Sequence, residues 1–204
     1  EQDKDIKALF LRINSPGGSG FASERIRQRL KLLNLKIPIV ISMGDVAASG
    51  GYWISMNDNL ILANPFTLTG SIGVWAALPN FKDSIKGIGI NSEQLSTNDL
   101  GLSLIEPPNE NLSVFMQSYV DGSYIKFINL VSNNRKLALG ETEKIAQGRV
   151  WPGESAVKNK LVDQLGVFQD GIEILKKETG VSDFEIKYIP VSPSIFDDLF
   201  SSFR

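Results

Sequence analysis

Two short segments of this chain combine the residue types that acyl-transfer chemistry requires. Asn14-Ser15-Pro16-Gly17-Gly18-Ser19 sets two glycines between a strand-like run and a helical pattern. Backbone N–H groups in such a loop can point at an anion, and the helix N-terminus adds partial positive charge. The loop suits a phosphate or an oxyanion, although no Gly-Lys-Ser/Thr comes after it as in a Walker A loop. It also fits a turn that does nothing but turn. In Ala47-Ala48-Ser49-Gly50-Gly51 a serine stands among small residues at a helix start, its hydroxyl free of steric cover. The Gly50 amide, one residue on, can face the space beside Ser49 Oγ. Those two groups are a nucleophile and one oxyanion donor. The same segment also fits a packing seam in which Ser49 merely caps the helix.

Composition narrows the chemistry further. The chain has no His and no Cys. That excludes a Ser-His-Asp triad, a histidine or thiolate metal site, disulfides and a cysteine nucleophile within it. Any hydrolysis must find another base. The net charge of −2 argues against a nucleic-acid partner. The carboxylates Glu106, Glu110, Glu141 and Glu143 show no spacing that suggests a metal. The 204 residues are enough for one domain with its own core. Apolar runs are short, so a spanning helix of about 20 residues is not expected. The start Glu1-Gln2-Asp3-Lys4-Asp5 is not a signal peptide, and the first strand comes almost at once. We therefore expect a piece of a longer chain.

Around these segments the pattern predicts the elements that must position them. Ala8–Ile13 is a buried strand, Ala22–Leu33 an amphipathic helix and Ile37–Ser42 a second buried strand. Together they form a βαβ unit with a right-handed crossover. Parallel neighbours end at one edge of a sheet, where ligands bind in open α/β folds, so the glycine loop and the serine turn should face each other. Gly50–Met56 reads as a short helix, Asn59–Ala63 as a strand and Thr69–Gly73 as a tight turn. Residues 82–108 are polar and irregular. A stripe of Leu112, Phe115, Met116, Tyr119, Val120, Phe127 and Leu130 predicts a helix whose apolar side is packed. Helices around Glu141–Gln147, Glu154–Asn159 and Gln169–Glu178 come next, then a strand-like Phe184–Val191. The predicted division is one α/β unit over 1–180 and a strand-like segment with a polar tail over 181–204.

The two segments, with Ser42-Met43-Gly44 before the second and Tyr52 after it, closely resemble the signal peptide peptidase A (protease IV) family. These are bacterial serine peptidases of the Clp/crotonase superfamily. The runs Ala63-Asn64-Pro65, Leu68-Thr69-Gly70-Ser71-Ile72-Gly73-Val74 and Gly148-Arg149-Val150-Trp151 through Leu165-Gly166 extend the resemblance, which covers about residues 6–180. It implies an α/β spiral of ββα units with a helical C-terminal part. It implies Ser49 as nucleophile, with Gly18 and Gly50, and Gly17 close behind, as oxyanion-hole residues. It implies a lysine base and no cofactor. In short family members that lysine lies about fifty residues after the nucleophile, where this chain reads Gln94-Leu95-Ser96-Thr97-Asn98-Asp99-Leu100-Gly101. In the long tandem form the N-terminal half supplies it, so this chain resembles the C-terminal half. Lys82 and Lys86, at i and i+4, are the fallback, although their spacing fits a solvated helix face. The resemblance further implies apolar peptide substrates such as remnant signal peptides, a homo-oligomer, and a place at the bacterial inner membrane facing the periplasm. The alternatives are a crotonase-type acyl-CoA enzyme and a non-catalytic scaffold.

Overall fold

A computed structural model describes residues 5–189 of the chain. Its elements alternate early and become helical later. They are β1 (Leu9–Ser15), α1 (Gly20–Asn34), β2 (Ile39–Ala48), α2 (Gly50–Ile54), β3 (Leu60–Ala63), β4 (Leu68–Gly70), α3 (Lys82–Gly87), α4 (Glu110–Arg135), α5 (Leu139–Ile145), β5 (Val150–Pro152), α6 (Gly153–Lys158), β6 (Gln164–Leu165) and α7 (Phe168–Thr179).

Strand β2 is the spine. Parallel β1 runs along one side of it, pairing Leu9 with Ile39 and Ser15 with Ala47. The other side is shared by two parallel strands, β3 beside Val40–Ser42 and β4 beside Val46–Ala48. The sheet continues through β6, parallel to β3, and β5, antiparallel to β4. Between Ile13 and Ser15 the register with β2 jumps from Met43 to Ala47, so β2 carries extra residues there. Asn14 fills the resulting bulge: its Oδ1 accepts from the Val46 amide at 3.2 Å. Gly44 makes room, because a Cβ there would stand 2.8 Å from that same oxygen. Such bulges bend a strand and re-aim the residues beyond it.

Alternation along β2 divides the apolar residues between two faces. Ile39, Ile41 and Met43 join Leu30 of α1, Tyr52 of α2, and Phe127 and Val131 of α4. Val40 joins Leu62 and Leu175 of α7 on the other face. Gly171 lets α7 settle against the Phe10 ring. The short α2 is held by its side chains: buried Tyr52 donates its hydroxyl to the Leu161 carbonyl at 2.8 Å. Burial pushes the Tyr52 hydroxyl pKa up, so it remains a donor.

Two sequence expectations change. The stripe on α4 is unevenly packed, with Leu112 and Phe127 buried, Met116, Val120 and Leu130 half-buried, and Phe115 and Tyr119 exposed. A 26-residue helix is about 39 Å long, and its buried residues are Leu112 near its start and Phe127, Ile128, Val131 and Ser132 in its last turns. Phe184–Val191 carries no strand over its described part, to Ile189; the remainder lies outside the described residues. Three short strands, β4, β5 and β6, were invisible to periodicity. Among the described residues no helix is long and apolar enough to cross a membrane.

Candidate active site

Three parallel strands stop together. Ser15 of β1 is level with Ala47, and Ala48 of β2 is level with Gly70 of β4. From these ends leave the Pro16–Ser19 loop, the Ser49 turn and the Ser71 turn. Ser49 is the hinge between β2 and α2, with φ 52° and ψ −118°. A non-glycine residue at such a φ costs on the order of 1–3 kcal/mol and persists only where its surroundings impose it. Here the Ser49 amide donates to Gly70 O and its carbonyl accepts from Trp53 N, both at 2.9 Å. Its side chain does not cap α2, which removes the capping explanation for a serine at this position. The residue is half-buried.

The glycine loop lies directly against that turn. A Cβ on Gly17 would sit 2.7 Å from the Gly50 nitrogen and 2.8 Å from Ser49 Cβ. A Cβ on Gly50 would sit 3.3 Å from both Gly17 Cα and the Gly18 nitrogen. A Cβ does not come within 3.0 Å of backbone, so a side chain at Gly17 would force the loop to shift, whereas the 3.3 Å contacts at Gly50 are tight but could give by a few tenths of an ångström. Gly17 and Gly18 also have φ of 109° and 140°, which L side chains rarely adopt. The two loop amides are not equivalent. Gly17 N–H donates to Ser15 Oγ at 3.2 Å, whereas Gly18 N–H has no partner among the described residues. The Gly50 amide opens α2, where a helix leaves its N–H groups unpaired. Two free donors, Gly18 and Gly50, thus flank a serine whose hydroxyl has no hydrogen-bond partner among the described residues.

The fallback lysines lie elsewhere. Lys82 and Lys86 stand exposed on α3, none of whose residues is buried. Lys82 pairs with Glu106 at 2.5 Å. That contact, aided by Ser92 Oγ, holds the Glu106 carboxyl below the usual carboxylate range. The region Gln94–Gly101 is exposed coil apart from partly buried Leu100 and Gly101. Among the described residues no group of three or more carboxylates could hold a metal. Ser71, expected only as part of a tight turn, is a further serine at this edge. It stands directly after Gly70, the acceptor of the Ser49 amide, and has φ 49°. The available signal was a serine between glycines at the end of a third parallel strand.

This architecture is the Clp/crotonase-like fold. The chain is similar to a solved structure of a point mutant of ClpP1 from Listeria monocytogenes, with a TM-score of 0.53 at 13% identity over 82% of this chain and 78% of that one. Residues 31–182 match the peptidase family S49, and the chain belongs to that family. It is 40% identical to Protease 4 of Haemophilus influenzae over 194 residues, 91% of this chain and 32% of that protein. It is likewise 40% identical to Protease 4 of Salmonella typhi over 202 residues, 98% and 33% of the two. It is 36% identical to the chloroplastic serine protease SPPA of Arabidopsis thaliana over 184 residues, 88% and 27%. The chain thus spans about a third of the Protease 4 relatives. A chloroplast relative also means that family membership alone does not fix a bacterial compartment.

Proposed function

We propose that this chain is the nucleophile-bearing part of a serine protease of Ser-Lys type. Ser49 Oγ attacks the peptide carbonyl while a neutral lysine amine takes its proton. The N–H groups of Gly18 and Gly50 hold the tetrahedral oxyanion. The lysine then protonates the leaving amine, and an acyl-enzyme on Ser49 is hydrolysed by water that the same lysine activates. The observation that carries this reading is the fit of Gly17 and Gly18 against Ser49 and Gly50. It leaves two unused amides beside a strained, uncapped serine.

In this reading the lysine comes from outside the chain, in a homologous N-terminal half of the same protein. That half and further copies of the chain are its partners. The substrates are apolar peptides, remnant signal peptides among them, cleaved at the periplasmic face of a bacterial inner membrane. The test is an ester or peptide assay with a fluorophosphonate probe. Without its base the chain alone should turn over poorly, since losing a partner of the nucleophile can cost on the order of 10⁶ in kcat. Adding the missing half should restore turnover that Ser49→Ala abolishes and that rises with pH as the amine loses its proton. Robust Ser49-dependent turnover by the chain alone would overturn the split dyad.

A further inference from the structure

We propose that Glu24 is a positioning residue for this reaction, its carboxylate gripping Trp53 and so fixing the turn that carries Ser49 and Gly50. The proposal rests on the reading of Ser49 as nucleophile. Helix α2 has five residues, too few to hold a shape or a direction by themselves. Its orientation must come from tethers, and one set comes from α1. Four donors converge on the single Glu24 carboxylate. Trp53 Nε1 reaches Oε2 at 2.6 Å and Arg27 Nε reaches the same oxygen at 2.7 Å. Arg27 Nη2 and Gln28 Nε2 reach Oε1 at 2.7 and 2.8 Å. Arg27 Nη1 then donates to the Met56 carbonyl at 3.2 Å, just beyond the end of α2.

The placement of this cluster relates it to the chemistry. Helix α1 starts two residues after Gly18 and so carries one candidate oxyanion donor at its entrance. Through Glu24 the same helix grips α2, which carries the other. The two helices meet without slack at Gly50, where a Cβ would stand 2.6 Å from Ser23 Oγ, the neighbour of Glu24. Trp53 lies three residues after Gly50. Its ring also lies against the Phe127 ring, with centroids 4.6 Å apart. The spacing of the Gly18 and Gly50 amides is therefore set by the seam between α1 and α2. Oxyanion donors act only within a narrow range of distance. An ion pair between neighbouring turns of an exposed helix would matter little. Here the Arg27 side chain is only 13% exposed, and a further donor to the carboxylate belongs to another helix. The hydrogen bonds also depress the Glu24 pKa to about 2, Arg27 contributing most and Trp53 and Gln28 adding to it against the cost of burial. The carboxylate is thus ionised at any working pH.

The test is steady-state kinetics on the complete protein with Glu24→Gln, Trp53→Phe, the double variant and Ser49→Ala, each assayed well below its own melting temperature. A glutamine at position 24 turns an N–H toward donors that now meet oxygen. Phenylalanine at position 53 keeps the ring and deletes the donor, which guards against a Glu24 variant that fails to fold. Each single change should lower kcat about 10- to 100-fold while KM stays within about twofold, because a displaced oxyanion donor weakens only the transition state. The double variant should be no worse than the worse single one. A kcat within about twofold of the parent for Trp53→Phe, or a loss that only tracks the fraction unfolded, would overturn the positioning role. Normal turnover by Ser49→Ala would instead overturn the reading of the site on which the proposal rests.

Discussion

Strand β2 buries Ile39, Val40, Ile41, Met43, Ala47 and Ala48 on its way to Ser49, whereas the segment from about residue 74 to 125 buries Leu112 but leaves many of its large apolar residues in water. Trp75 is 83% exposed and Leu95 98%, with Ile88, Leu102, Phe115 and Tyr119 also uncovered. Both regions are rich in apolar side chains, and they differ in what covers them. The seam at Ser49 is over-determined. Register, the Asn14–Gly44 bulge, Thr69 Oγ1 on the Ala47 carbonyl at 2.7 Å, and the Glu24 clamp all fix one turn. Strain at Ser49 can be stored there because so much holds it. The 74–125 segment, an arm beside this core, is tied largely within itself, as by Lys82 to Glu106 and Asn109 to the Asp99 carbonyl. Exposed apolar side chains gathered in one segment mark a surface suited to being covered. This agrees with the proposal that the base and the neighbouring copies come from outside.

The sharpest way to break this contrast is at the glycine loop. Gly17→Ala would force a methyl to within 2.7 Å of the Gly50 nitrogen at a φ of 109°. The loop must move, and with it the Gly18 amide. In the complete protein we expect kcat to fall about 10²–10³-fold, as when an oxyanion donor is removed. Gly18→Ala meets nothing within 4 Å and suffers only from its φ of 140°, so its loss should be smaller. Equal losses in the two variants would mean that the close approach of Gly17 to Gly50 does not set the donor geometry.

The ease with which the two regions could be read from sequence differs for the same reason. The close approach at the seam depends on small residues at fixed spacing, and Pro16-Gly17-Gly18 and Ala48-Ser49-Gly50 show it in the sequence. Strand β1, α1, the first part of β2 and the helices after Glu110 were also visible, since each has a run of apolar residues at one period; the continuation of β2 from Met43 to Ala48, expected as a turn, is interrupted by Gly44 and Asp45. Strands β4, β5 and β6, of three, three and two residues, are too short to show a period and exist through their partners. The Glu24–Trp53 contact joins residues 29 apart on two helices, and no local pattern signals it. On α4 periodicity correctly gave the helix but not its surroundings. An apolar stripe reports that something should cover a face, not that this chain does so.

The arm can be tested against the core on the same helix. Phe127 is 1% exposed and lies against Trp53, so Phe127→Ala should cost about 3–5 kcal/mol in chemical denaturation. Phe115→Ser with Tyr119→Ser, two to three turns earlier, should each cost no more than about 0.5 kcal/mol. If the arm is covered by another copy or by the missing half, that double variant should instead weaken association in sedimentation. A folding cost in the isolated chain that approaches the Phe127→Ala value would show that the arm packs on its own domain.

The smallest effect is expected at Lys82, the position that most directly separates an internal base from an external one. A catalytic amine must reach Ser49 Oγ and be free to take its proton. Lys82 instead faces solvent on α3 and is paired with Glu106, which also accepts from Ser92 Oγ at 2.7 Å. Because the Glu106 carboxyl is held below its ordinary pKa, the interaction is fully present above the unfolded carboxyl's pKa. It fades as pH falls through the folded value. Near neutral pH, where the pair is intact, Lys82→Ala should leave the melting temperature of the chain unchanged and the turnover of the complete protein within about twofold of the parent. As pH falls through the lowered Glu106 value the pair's contribution disappears, so any small difference between the melting curves of variant and parent should close. If Lys82→Ala abolishes turnover while the protein remains folded, the base is internal. The arm must then fold over Ser49 during catalysis, and the division between a rigid seam and an uncovered arm fails.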